Sequence, residues 1–167
     1  MNRLFVIWGI GLTAMLTAGP VGAQVKVGYV NIQKTIEKTK EGTEAKQQLE
    51  NFVKKRQEEI KKMEADIKKM NDDFEKKQAI LSDTVREQKQ AELQKEMVKY
   101  SQFAQKSQME AAQKERDLLQ PILNKIRGTI EKVAKSEGYG VVLENVLFAA
   151  PEIDLTDKVL AAYEKTK

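Results

Sequence analysis

Residues 49–74 read LENFVKKRQEEIKKMEADIKKMNDDF, and their apolar positions decide the fold. Leu49, Val53, Ile60, Met63, Ile67, Met70 and Phe74 recur at alternating spacings of three and four, interrupted by Arg56. That spacing lays one apolar seam along a helix and calls for a second helix to cover it. No Gly or Pro breaks the pattern from Thr43 to Leu81. A helix over that span is ~58 Å long at 1.5 Å per residue.

Beyond it, Ser82-Asp83-Thr84 reads as a new helix start, with Thr84 and Glu87 spaced as a capping box. Leu93, Met97, Tyr100, Ala104, Ser107 and Ala111 make a second stripe. Leu119, Leu123, Ile126, Ile130 and Val133 make a third, shifted in phase, and Pro121 falls at the shift. A proline there removes a backbone bond and predicts a kink near residues 118–121. Gly138 reads as the C-cap. This second helix is ~80 Å long, whereas a compact domain of this length has a radius of gyration of ~14–15 Å. The lengths predict an antiparallel hairpin arm, turning near Ser82, that projects from a small body. In that register Met70 faces Leu93, Ile67 faces Met97, Met63 faces Tyr100 and Ile60 faces Ala104. Arg56 then meets Ser107, and Leu49 meets Lys114 and Glu115, so loose packing and flexing are expected near the base of the arm.

The chain ends have a different texture. Val25, Val27 and Tyr29 alternate with Lys26 and Gly28, as a strand does. Asn31 offers an N-cap for a short helical turn ending near residues 40–42. Residues 139–143 and 146–149 are β-rich and separated by Glu144-Asn145, which predicts a hairpin closed off by Pro151. Asp154 to Asp157 then cap a terminal helix carrying Val159, Leu160 and Tyr163. The fold class expected is mainly α with a small β body: residues 24–42 and 136–167 form the body and residues 43–135 the arm. So small a core is marginal alone, and short strands leave open edges, so the body is expected to oligomerise.

The first residues carry an address. Met1-Asn2-Arg3, an apolar run from Leu4 to Ala18, Gly19-Pro20 and the small-residue site Val21-Gly22-Ala23 have the layout of a secretory signal peptide. The run is short for a membrane span, which needs ~20 apolar residues. Residues 1–23 are therefore expected to be a cleaved signal, and the remainder an exported chain.

Composition narrows the chemistry. The 167 residues include no cysteine and no histidine. This removes thiol nucleophiles, histidine-based triads and the usual zinc sites, so no enzyme activity, cofactor or metal is expected. Residues 43–135 hold 21 Lys and Arg against 17 Asp and Glu, and the sign reverses after them. Most of these charges solvate helix surfaces, and the cationic surplus favours anionic partners at low salt.

Several segments carry a resemblance. Val27-Gly28-Tyr29-Val30-Asn31 opens the body, Ile80-Leu81-Ser82 forms the tip, and Leu118-Leu119-Gln120-Pro121-Ile122 marks the phase shift. Ala134 to Tyr139 and Ile153 to Leu160 follow in order. On these segments the chain resembles the Skp/OmpH family of periplasmic chaperones. The resemblance implies a homotrimer whose β body carries three helical arms. It also implies ATP-independent binding of unfolded outer-membrane β-barrel proteins between the arms. Anionic lipid or lipopolysaccharide is a further partner of the family. The small cationic surplus weighs against strong lipopolysaccharide binding more than against client holding.

A holding surface needs adaptable apolar side chains, and methionine suits that task. Met63, Met70 and Met97 read as the arm's own seam. Ile80, Val85, Val98, Phe103 and Met109 lie off or beside it and are the candidates for client contact. Three other classes share parts of the pattern. A structural coiled-coil adaptor of the cell envelope needs the helices but no cavity. A basic lipid- or nucleic-acid-binding protein lacks any recognised nucleic-acid motif here, and no nucleic acid is expected. An enzyme lacks a visible pair of carboxylates in a pocket.

Overall fold

The structure is a computed structural model that describes residues 25–166. The expected signal segment, residues 1–23, lies outside the described residues. The elements run β1 (Val27–Tyr29), α1 (Ile32–Lys38), α2 (Lys40–Lys77), a 3-10 turn (Gln78–Ile80) and α3 (Asp83–Glu137). Then come β2 (Val141–Leu143), a second 3-10 turn (Pro151–Ile153) and α4 (Thr156–Lys165).

Two residues set how the long helices leave the packed end. Asn31 caps α1, its side-chain oxygen accepting from the Lys34 amide. Thr39 then ends α1 and starts α2 at once. Its extended backbone breaks the helix, and its buried hydroxyl donates to the Ile36 carbonyl and accepts from the Gly42 amide. Helix α2 therefore begins at Lys40, not Thr43, and takes Gly42 into its first turn. The turn crosses α1 so closely that a Cβ on Gly42 would lie 1.9 Å from the Ile36 carbonyl oxygen. At the other end, Gly138 ends α3 in the left-handed conformation, with φ of 72°.

Helix α3 continues through Pro121 without a break. The expected capping box does not form: Ser82 is the N-cap and makes no side-chain cap bond. Arg86 organises the turn instead, donating to the carbonyls of Gln78 and Leu81 and pairing with Asp83.

The predicted β-hairpin is also replaced. β2 pairs with β1, in parallel, with Val27 opposite Val141 and Tyr29 opposite Leu143. Tyr29 bridges to Asp154 on its other edge, and the Leu155 amide donates to the Tyr29 carbonyl. Residues 146–149 form no strand. Asn145 turns the chain at φ of 56°, and Leu147 and Phe148 stand in solvent. β1 is thus the central strand, flanked by two segments from the far end of the chain.

The core adjoins this sheet in two clusters. Val30, Val133, Leu155 and Val159 pack beneath the strands. Ile36, Ala45, Ile122, Ile126 and Tyr163 pack where α1, α2, α3 and α4 meet. Ile32 and Ile130 touch both clusters, making the core continuous. The third apolar stripe of the sequence supplies α3's share, with Ile126 fully buried.

Because the Ile36 carbonyl cannot retreat from within a buried cluster, Gly42→Ala is expected to overpack this crossing. A loss of about 2 kcal/mol is expected, read as a lowered urea midpoint with unchanged m-value. A variant as stable as the parent would show that the two helices separate freely there.

Candidate functional site

Away from the core, α2 and α3 have only each other. Their contacts step along the two helices in opposite senses. Met70 and Phe74 share a hollow of about 230 Å³ with Lys89 and Leu93 near the turn. Arg56 pairs with Glu110 further down, and Glu41 pairs with Lys125 next to the core. The seam residues Val53, Ile60, Met63, Ile67, Met70 and Phe74 are half-buried, as a two-helix pair without a third layer requires. On α3 the half-buried side runs through Leu93, Glu96, Tyr100, Phe103 and Ala104. Met97, expected in the seam, is instead about half exposed, because the phase of α3 turns Glu96 inward in its place.

The middle of the seam is polar. The Arg56 guanidinium lies 5.3 Å from the Phe52 ring and 5.4 Å from the Phe103 ring. It donates to Glu59 at 2.9 Å and to Glu110 at 2.7 Å. The Glu59 bond first, then the nearby carboxylate charges, raise its pKa above the ordinary arginine value, against the pull of desolvation. The Arg56 Nε and the Ser107 hydroxyl are buried here without a partner. The loose packing expected at Arg56 is thus filled by two aromatic rings and two carboxylates. Closer to the core, Leu49, Glu115, Leu118 and Leu119 do border an open recess of about 490 Å³, together with residues of α1.

A second charged contact ties the helical pair to the core. Lys125 donates to Glu41 at 2.9 Å and sits 4.1 Å from the centre of the Tyr163 ring. The hydrogen bond from Lys125 holds the Glu41 carboxyl below its ordinary value, and the same bond raises Lys125. Burial raises Tyr163, whose hydroxyl has no partner.

The five client-contact candidates do not form one group. Ile80 and Val85 flank the turn, and Ile80 is 84% exposed. Val98 and Met109 stand exposed on the outer side of α3. Phe103 belongs to the seam, half-buried against Arg56, and is not presented to solvent as expected. The largest exposed apolar side chains that sequence reasoning passed over are Leu147 and Phe148, which had been placed in a strand. Val25, Val27, Val141 and Leu143 add exposed apolar surface at the same end of the molecule. The sequence signal was present in the unbroken run Val146-Leu147-Phe148-Ala149-Ala150, too apolar for a free loop. Among the described residues no helix is long and apolar enough to cross a membrane, and no cluster of acidic side chains is grouped to hold a metal.

The comparisons with known proteins agree on one family. The family model described as outer membrane protein (OmpH-like) matches residues 26–163. A crystal structure of a candidate OmpH-like outer membrane chaperone from Caulobacter crescentus CB15 superposes with a TM-score of 0.75 at 20% identity. The match covers 89% of this chain and 88% of that one. No curated protein matches the chain.

Two outcomes follow from the charged contacts. Replacing a part-buried ion pair by an apolar side chain is often neutral or stabilising, whereas removing one partner strands the other. Arg56→Leu combined with Glu110→Leu is therefore expected to keep or raise the urea midpoint, and Glu110→Gln alone to lower it. The reverse order would show that the ion pair itself stabilises the seam. Glu41 has a lowered pKa, so its contribution is present above the unfolded carboxylate value and is lost as pH falls through the lowered one. The stability gap between the parent and Lys125→Met should accordingly close on acidification, and a gap independent of pH would reassign it to lost Tyr163 packing.

Proposed function

The chain belongs to the OmpH-like family of outer membrane chaperones, and on that premise we propose that it is an ATP-independent holdase of the periplasm. It binds unfolded outer-membrane β-barrel proteins and keeps them from aggregating. The observation that carries the reading is the pairing of two very long helices with a core too small to house them. At 1.5 Å per residue α2 is ~57 Å and α3 ~82 Å long, and most of both lies outside the two core clusters. We take the helical pair as an arm and the packed end as a body.

Three copies would give three arms around a shared cavity. The exposed apolar side chains of the body support assembly: Val25, Val27, Val141, Leu143, Leu147 and Phe148 all stand in solvent, and covering them would remove apolar surface from water. The open outer edge of β2 supports it too, since natural proteins cover such edges. Residues 24–42 and 136–167 would then form the trimeric body. Export would follow from removal of residues 1–23.

Holding needs weak contacts on several arms at once, which sum as avidity without nucleotide. Exposed Ile80, Val85, Val98 and Met109 supply apolar contacts dispersed among lysines, which leaves the free arms soluble. The lysines add long-range attraction for acidic segments of a client, an effect that fades with salt. Phe103, in the seam, would act by holding the arm together and not by touching clients.

A urea-unfolded outer-membrane β-barrel protein diluted into buffer tests this directly. Light scattering is expected to fall with added chaperone, without ATP, and to saturate near three chains per client. No suppression at any ratio would overturn the holdase reading and favour a structural coiled-coil adaptor. The trimer has its own test. Leu147→Asp with Phe148→Asp should shift the mass in solution from trimer towards monomer, and an unchanged mass would remove this patch from the interface.

A further inference from the structure

On the two long helices most of the exposed surface is charged, and one line along α3 is not. The outer side of α2 presents Lys54, Lys55, Glu58, Lys61, Lys62 and Asp66 in quick succession, all exposed. The outer side of α3 differs. At 100° per residue a line drawn along α3 through Val98 meets Ala91, Gln94, Gln102, Gln105, Met109 and Ala112, and every one is exposed. No Asp, Glu, Lys or Arg falls on that line until Glu87 closes it at one end and Arg116 at the other. Lys95, Lys99 and Lys106 run along one border only.

We propose that this uncharged stripe is where the arm docks one extended, strand-length segment of an unfolded β-barrel client. The inference rests on the holdase reading and names the surface that would do the holding. Three properties of the stripe select such an occupant. The first is length. From Ala91 to Ala112 the stripe spans ~32 Å. An extended chain at ~3.3 Å per residue fits about ten residues into that distance, and a membrane-spanning β-strand has about 9–11.

The second property is chemistry. An unfolded strand exposes a backbone donor and acceptor at each residue and alternates apolar with polar side chains. Each glutamine amide both donates and accepts, so Gln94, Gln102 and Gln105 can bond a backbone in either direction. Val98 and Met109 meet apolar side chains, and the flexible methionine adapts to different ones. The third property is the absence of fixed charge. Covering a lysine or glutamate with an apolar segment costs desolvation, and the stripe avoids that cost along its whole length. The lysine border stays in water, where it favours segments with acidic ends.

Exposed glutamines on a helix accept substitution without loss of helix, so the stripe can be charged without unfolding the arm. The experiment compares the double variant Gln102→Glu with Gln105→Glu, and Gln102→Lys with Gln105→Lys, against Gln57→Glu at an exposed glutamine of α2. Helicity and mass are checked for each. Binding is read with a urea-unfolded, fluorescently labelled β-barrel client at moderate salt. Both stripe pairs are expected to weaken binding about tenfold, since desolvating either sign is costly, and the α2 variant to bind like the parent. A photo-crosslinker at Gln105 should label the client and one at Gln57 should not.

Equal weakening by the α2 variant would overturn the stripe. So would tighter binding by the lysine pair, which would reduce the effect to net charge. Crosslinks from Gln105 to a second copy of this chain would give the stripe to arm-to-arm contact and overturn it as well. A parent protein that holds no client at all overturns the holdase reading itself. Stripe variants that bind like a competent parent overturn only this inference.

Discussion

β1 and β2 pair in parallel, and a parallel pair requires a crossover connection between its strands. In this chain the crossover is the whole of α1, α2 and α3. The constraint governs everything else. Once Val27 meets Val141, the long segment between them must leave the sheet and return to it. Two stiff helices joined by a tight turn do so with little more backbone freedom to lose. Asp154 and Leu155 add a second segment on the far side of β1, so three parts of the chain meet at one short strand. The buried residues beneath it are Val30 just after β1, Val133 from α3, Leu155 from the flanking segment and Val159 from α4. Sheet and core therefore form together or not at all.

The helical pair was legible because its signal is local. Each helix writes its own seam at spacings of three and four, and the turn at Ser82 follows from where the stripes stop. Phase within the second stripe was less secure. Met97 and Glu96 differ by one position, and hydropathy chose the methionine, whereas the structure turns the glutamate inward. The second helix has no deep burial to discipline its phase, since Ser107 is the buried residue on α3 above the core. Seam and surface there differ by a fraction of a turn. Phe103 was misplaced for the same reason: read as a flanking residue, it is the partner of a guanidinium across the seam.

The packed end was legible in its helices and not in its strands. Residues 139–143 and 146–149 look like a hairpin because each is β-rich and a turn lies between them. Pairing is a long-range choice, though, and β1 competes for β2 from the other end of the chain. Val30 donates to the Leu143 carbonyl, and Gly140 donates to the Lys26 carbonyl, which satisfies β2 without residues 146–149. The Thr39 and Gly42 crossing was equally hidden. A glycine after a short helix reads as a stop, yet here it is a small residue demanded by the approach of α1 to α2. Only the contact explains it.

The polar layer at Arg56 makes physical sense as a choice of register over strength. A seam of alternating three and four spacings looks much the same after a slip of one heptad, since apolar residues replace apolar residues. The tip does little to resist such a slip, because Ser82 makes no side-chain cap and residues 75–80 are all exposed. Arg56 distinguishes the alternatives. Sliding α3 by one heptad one way would bring Tyr100 to the place of the small, buried Ser107 and Glu96 to that of Phe103, overfilling the layer and taking one ring from the guanidinium. Sliding it the other way would force the long Lys114 into the place of buried Ser107 and again put a carboxylate, Glu110, where the Phe103 ring stands. An all-apolar layer would forbid neither. The unpartnered Arg56 Nε and Ser107 hydroxyl are the cost of this selectivity. What it secures is the position of α3's outer surface relative to α2 and the core, and so the direction in which Val98 and Met109 are presented.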